Sequence, residues 1–291
     1  IPAKIGLLTQ LDSLFLSINE LKKIPIEIFN IKQLKELHLS FCRLACIPAE
    51  IGQLTQLEVL DLSSNPFTHI SSHVSQLKQL RTLSLKDNKL TKIPAEIFQL
   101  AQLEILELSC NNLTKLPAEI CQLKKLRLLV LSGNELAEIP AEIGQLTQLK
   151  KLDLSHNKLA IIPMEIGQLQ QLRFLFINNN KLIQLPKELG NLTLLRWLEI
   201  DNNLLTEIPI ELDQFENIHE LDLSNNEFIE ITPNILNMKN IKGFDLHGNK
   251  NLRINNFDPL QHIPSIIVDQ EQMGVHADIP ENIFIFEKDN D

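Results

Sequence analysis

The chain has 291 residues, 44% of them hydrophobic, and a formal net charge of −10. That apolar content supports a sizeable core, while no run approaches the roughly 18 consecutive apolar residues of a membrane span. The acidity, without any block of basic residues, argues against a nucleic-acid binder, which needs clustered Lys and Arg facing phosphates, and favours a basic protein partner.

In chain order, residues 1–10 (IPAKIGLLTQ) read as the second half of a repeat whose first half is absent. With no initiating Met, signal peptide or amphipathic cap, a mature fragment or trimmed N-terminus is expected. From Leu11 a step of 23 residues then lands on Leu34, Leu57, Leu80, Leu103, Leu126, Leu149, Leu172, Leu195, Ile218 and Ile241. The predicted organisation is a partial repeat at 1–10, about eleven repeats at 11–262, and a degenerate last repeat, cap and tail at 263–291. Because such a chain grows by stacking units, one elongated domain is expected.

The plainest unit, 149–171, reads LKKLDLSHNKLAIIPMEIGQLQQ. Leu152 and Leu154 flank Asp153, the alternation of a short strand with two side chains pointing inward and one outward. One such strand cannot stand alone, so copies must lie side by side as a parallel sheet with strands about 4.8 Å apart. Asn157 follows the strand, in a column that includes Asn19, Asn65, Asn111, Asn203 and Asn249. A buried amide there can pair backbone groups of its own turn and of its neighbour, so the column reads as structural. Cys42 stands in the column as a small packed substitute.

The return half reads IPxEIGQL, as at Ile139, Pro140, Glu142 and Ile143. Proline suits the first turn of a short helix, and glutamate there favours the positive dipole end, so Glu96, Glu119, Glu142 and the others of that column read as solvated helix-start carboxylates. At Ser71 serine replaces the proline, and a loosened return side is expected there. Cys42, Cys46, Cys110 and Cys121 fall inside repeats rather than in flanking clusters, which points to a reducing compartment; Cys42 and Cys46 lack the second pair that a zinc site needs. Beyond Ile241 the unit shortens by one residue: Ile263, Ile266 and Val268 supply the strand pattern and Glu271 the asparagine slot. A cap is assigned to 263–286 and a frayed tail to 287–291.

The full text LPxxIGxLxxLxxLxLSxNxLxxIP resembles the 23-residue class of leucine-rich repeat proteins, which includes Ras-binding scaffolds of animals, plant intracellular Ras-group proteins and repeat proteins of host-associated bacteria. The resemblance covers nearly the whole chain. It implies an α/β leucine-rich repeat solenoid, a curved horseshoe with a parallel β-sheet on the concave face and short helical or 3-10 turns on the convex face. Near-identical units such as IPAEIGQLTQL at 47–57 and 139–149, with richness in Ile and Asn, suggest a bacterial protein, cytoplasmic or secreted into a host cell as an effector.

Function should be read on the outward strand positions, which are free to vary without harming the core. Two groups stand out. Ile105, Leu128, Val130, Phe174, Phe176 and Trp197 form an apolar set where wet residues are expected, the layout of a partner site with Trp197 as anchor. Glu199, Asp222 and Asp245 form a carboxylate run on consecutive strands, with Arg196 at its rim; a partner's Lys or Arg would relieve their repulsion. A hard cation needs six or more oxygens, so no metal is assigned. No nucleophile-base constellation emerges, and no cofactor or enzymatic activity is expected. The expected role is a monomeric, non-catalytic module binding a protein partner on the concave face, without nucleic acid or membrane insertion. A recognition arm of a larger enzyme and a bacterial surface adhesion protein are the alternatives.

Overall fold

The computed structural model describes residues 1–231, 240–254, 258–273 and 280–286, so the expected tail at 287–291 and part of the cap lie outside the described residues. The chain divides into two compact units, Ile1–Leu152 and Asp153–Asp291. The first holds β1 (Ser13–Phe15), β2 (Glu36–His38), β3 (Val59–Asp61), β4 (Thr82–Ser84), β5 (Ile105–Glu107) and β6 (Leu128–Val130). Strand β7 (Lys151–Asp153) falls at the division. The second holds β8 (Phe174–Phe176), β9 (Trp197–Glu199), β10 (Glu220–Asp222), β11 (Gly243–Asp245), β12 (Ser265–Asp269) and β13 (Ile283–Phe286).

Within each unit the strands pair in parallel with their sequence neighbours. Leu37 lies opposite Leu60 and Leu106 opposite Leu129, one repeat apart. The one-residue shortening appears in the register of β11 and β12, where Phe244 lies opposite Ile266. From β1 to β10 the middle residue of each strand is a buried leucine, with Leu60, Leu83, Leu106 and Leu175 fully inaccessible, while the first and third positions are partly or fully exposed except at the buried Ser84. Stacking is the physical cause: a three-residue strand has too few bonds to persist alone, and its buried face is completed only by its neighbours.

Ten five-residue 3-10 turns return the chain, from Ala3–Leu7 to Ile210–Gln214 among the described residues. Proline stands just before the turn rather than inside it. The carbonyl of Pro140 accepts the Ile143 N–H at 3.0 Å, and the absent proline N–H costs nothing there. The loosening expected at Ser71 does not occur. The turn Ser72–Gln76 forms as elsewhere, because the Ser71 hydroxyl caps it by accepting the His73 N–H at 3.4 Å. At Gly167 a Cβ would collide with the Glu188 carbonyl, so only glycine lets these turns approach so closely.

The asparagine ladder is built as the column predicts. Asn203 Nδ2 donates to the carbonyls of Ile177, Ile200 and Asp201, each at 3.1 Å, and its Oδ1 accepts the Leu182 N–H at 3.0 Å. One amide thus pairs backbone groups of its own turn and of the preceding repeat. Cys42, fully buried, substitutes by directing its thiol at the Leu16 carbonyl at 3.0 Å, and burial pushes that thiol above its ordinary pKa. Asn19 departs from the column: it is exposed and donates only to Leu16 and Ser17 of its own turn. Glu271 does not take the asparagine slot. It is exposed, while Gln272, 1% exposed, reaches the carbonyls of Leu246 and Asn249 at 2.9 and 3.1 Å. Strand β12 is two residues longer than the three-residue strands before it, which moves the inward position along and calls for a longer amide.

The residue before each ladder position adopts a left-handed backbone. Asp87, Cys110, His156, Asn179, Asn202 and Asn225 have φ between 52° and 55°, and Gly133 and Gly248 have φ of 66° and 74°. Glycine, asparagine and aspartate tolerate this region, but Ile18 and Phe41, at φ of 60° and 54°, occupy it with bulky side chains. No described helix is long and apolar enough to cross a membrane.

Candidate functional site

The outward strand positions of the two units carry different chemistry. In the first, Ile105 lies opposite Leu128 and Glu107 opposite Val130, so Ile105, Leu128 and Val130 form a half-exposed apolar group on β5 and β6. Just ahead of these strands the charges alternate. Arg81 bridges Glu58 at 3.6 Å and Glu104 at 3.2 Å, and Arg127 meets Glu104 at 3.2 Å. Further along, Phe15 is 66% exposed and stacks on His38 with ring centroids 4.5 Å apart, while His38 sits 3.8 Å from both Glu36 and Asp61. Phe15 does not stand out in the sequence because six repeats separate it from Phe174 and Phe176, the next aromatics at outward strand positions.

In the second unit, Phe174 lies opposite Trp197 and Phe176 opposite Glu199 on adjacent strands. Trp197 is 50% exposed and Phe174 38%, whereas Phe176 is half-buried. The Trp197 ring is held in place: its Nε1 donates to Glu199 Oε1 at 2.8 Å. The expected carboxylate run is present, with Asp222 opposite both Glu199 and Asp245. Two of its members have local duties. Asp222 accepts the Ser224 N–H at 2.9 Å, and Asp245 accepts the His247 N–H at 3.1 Å and meets His247 Nδ1 at 2.7 Å. In the first unit Asp61 does the same for Ser63, so the LDLS text encodes a turn in which aspartate caps the serine.

These residues border an open cavity of ≈ 530 Å³. Trp197 stands at one side, and Glu199, Asp201, Glu220, Asp222 and Asp245 line it together with Lys242. Its volume exists because Gly243 and Ser265 are small; a Cβ on Gly243 would already lie 3.3 Å from the Ser265 carbonyl. Asp201 was not anticipated. It occupies a column in which serine is usual, at Ser109, Ser132, Ser155 and Ser224, and that departure was the readable signal. Burial pushes its carboxyl pKa up and the charge of Asp222 adds to this, against the hydrogen bond donated by Asn202 at 2.5 Å. The rim is basic and unpaired: Arg173, Arg196 and Lys242 have no side-chain partner among the described residues. No group of three or more metal-ligating side chains occurs among the described residues.

Sequence comparison supports what this geometry indicates. The leucine-rich repeat family matches residues 32–88 and 78–136, a leucine-rich repeat region matches 125–195, and a further leucine-rich repeat matches 217–238. A leucine-rich repeat protein of Leptospira interrogans is 31% identical over 94% of this chain and 88% of its own, with a TM-score of 0.58. The chain belongs to the leucine-rich repeat proteins. The plant peptide hormone receptor RGFR1, solved in complex with RGF2, is 28% identical with a TM-score of 0.78; the match covers 94% of this chain and 49% of the receptor. An internalin of Listeria monocytogenes, 21% identical over 94% of this chain and 84% of its own, has a TM-score of 0.74 and shares the fold. No curated protein sequence matches this chain. Leucine-rich repeats commonly serve as protein-interaction modules, and this chain has their architecture of parallel strands and 3-10 turns.

Proposed function

We propose that this leucine-rich repeat protein is a non-catalytic interaction module that binds a protein partner on the concave strand face of its second unit. The carrying observation is Trp197, half-exposed on a rigid strand, fixed by its bond to Glu199 and bordering an open cavity. Large aromatics held in this way lose little conformational entropy on binding and dominate interface energetics. Phe174 beside it widens the apolar centre, and Arg196, Glu199, Asp222 and Asp245 set register around it, as charged rims do. The receptor RGFR1, solved in complex with RGF2, lends support to a polypeptide as the kind of partner. The Leptospira relative supports a bacterial source; a host-directed effector acting as a monomer is the role we propose with it.

The test is capture of the native partner followed by titration of variants. Trp197→Ala is expected to weaken the complex at least about thirtyfold, equivalent to about 2 kcal/mol, with little change in thermal stability. Asp61→Ala, in the first unit, is expected to do much less. Unaltered affinity for Trp197→Ala, or loss of the fold, would remove the reading.

A further inference from the structure

Five carboxylates line the cavity of the second unit against a single ammonium, Lys242, and none of Glu199, Glu220 and Asp222 meets a cation among the described residues. Elsewhere the same protein handles such crowding by interleaving signs: Glu58, Arg81, Glu104 and Arg127 neutralise one another one repeat apart. The cavity lacks that device. Strands about 4.8 Å apart place the carboxylates of β9, β10 and β11 within mutual repulsion, which a charge supplied from outside would relieve. The carboxyl of Asp201 titrates above its ordinary value chiefly through burial, with the Asp222 charge adding to this. A second observation is of another kind: the side-chain oxygen of Asn178, also in the lining, is buried without a donor among the described residues. Buried acceptors are normally paired, so the site has an acceptor open to an incoming N–H as well as a surplus of carboxylates over cations in its lining.

Resting on the reading of this face as a partner site, we propose that the cavity receives an arginine side chain from an extended segment of the partner. A guanidinium supplies positive charge, five N–H donors for carboxylates and amide oxygens, and a plane that stacks on an indole. Each has a counterpart: Glu220 and Asp222 for the charge, Asn178 for a donor, and Trp197 for the plane, its ring already held by Glu199. A cavity of ≈ 530 Å³ lies in the range that holds a small ligand or a few side chains. Gly243 keeps it open, being the residue without a side chain in a column that elsewhere carries Trp197 and Glu220.

Trp197 is the chain's single tryptophan, so its emission reports the site directly. The full chain is titrated at about 0.15 M salt, where the Debye length is about 8 Å and general attraction of polycations to an acidic protein is screened. The probes are capped tetra-arginine, tetra-lysine and tetra-glutamate peptides. Tetra-arginine is expected to give a saturable change at least tenfold tighter than tetra-lysine, and tetra-glutamate none. Gly243→Leu, which fills the cavity without altering charge, and Glu220→Gln with Asp222→Asn, which removes two of the five carboxylates without altering volume, should each weaken tetra-arginine at least tenfold. Equal binding of the arginine and lysine peptides, the absence of saturation, or indifference to both variants overturns the proposal. A native partner that depends on Trp197 yet is neither displaced by tetra-arginine nor weakened by the Glu220 and Asp222 changes would remove this inference alone. Independence from Trp197 would remove the underlying site as well.

Discussion

The two units use one backbone plan and opposite electrostatic plans. Ahead of the strands of the first unit, Glu58, Arg81, Glu104 and Arg127 alternate in sign and close three ion pairs of 3.2 to 3.6 Å. In the second unit the same column reads Arg173, Arg196, His219 and Lys242, without a carboxylate among them, beside a floor of carboxylates. A repeat stacks identical positions a strand spacing apart, so alternation is the simplest way to keep a column neutral. Where it is abandoned, cations and carboxylates remain without ion-pair partners among the described residues, as the proposed recognition surface requires.

The scaffold itself should not distinguish the units, and that sets the largest expected effect on stability. Asn111→Ala in the first unit and Asn203→Ala in the second each strip hydrogen bonds from three carbonyls and one N–H. Each should cost about 1–3 kcal/mol, read as a lower denaturant midpoint, and the two costs should agree. A loss confined to one unit would show that the ladder is not shared.

Next in size is the backbone strain of the first unit's outermost turns. Ile18, 82% exposed with φ of 60°, occupies a column where the second unit has Asn179, Asn202 and Asn225. Ile18→Asn should raise stability by about 1 kcal/mol, because an L-residue with a bulky side chain pays about that much in this region. Asn225→Ile should lower it by a similar amount. Thermal melts of both variants check the pair.

Charge reversal sharpens the comparison directly. Arg81→Glu puts a third carboxylate between Glu58 and Glu104, and should destabilise by up to about 1 kcal/mol at low salt and less at high salt, these pairs being exposed. Arg196→Glu breaks no internal pair and should leave the melting temperature unchanged. If it destabilises as much as Arg81→Glu, the second unit's rim is structural.

The smallest effect concerns pH. The carboxyl of Asp201 titrates above its ordinary value, chiefly through burial, so the folded state binds its proton more tightly than the unfolded state. Its contribution is therefore most favourable below the unfolded pKa and is lost as pH rises through the folded one. Asp201→Asn should be more stable than the parent at neutral pH, the gap closing as pH falls into the carboxylate range. A gap that widens on acidification would reverse the assignment.

Much of this was legible beforehand because a 23-residue period constrains every unit alike. The buried middle leucines, the role of Asn203, the packing of Cys42 and the shifted register at Ile266 all follow from repetition plus the cost of unpaired backbone groups. The misreadings fell where a unit departs from its neighbours. Ser71 caps its turn with a hydroxyl in place of proline, and Gln272 rather than Glu271 fills the ladder because β12 is longer. Two of the three carboxylates in the expected run proved to be turn chemistry, since Asp222 and Asp245 each hold the N–H two residues on. The left-handed column was readable in the Asn, Asp, His and Gly residues ahead of each ladder position, but Ile18 and Phe41 hid it at the start.

By itself the sequence determined the architecture: the period, the strand and turn in each unit, and which face of each strand is core, because these depend on local spacing and on burial that every repeat shares. Only the tertiary structure decided the site. The cavity depends on small residues at Gly243 and Ser265 standing beside large ones from other repeats, and the state of Asp201 depends on Asp222 and on burial by its neighbours. Volume and desolvation are properties of what surrounds a side chain in space, and spacing along a chain does not carry them.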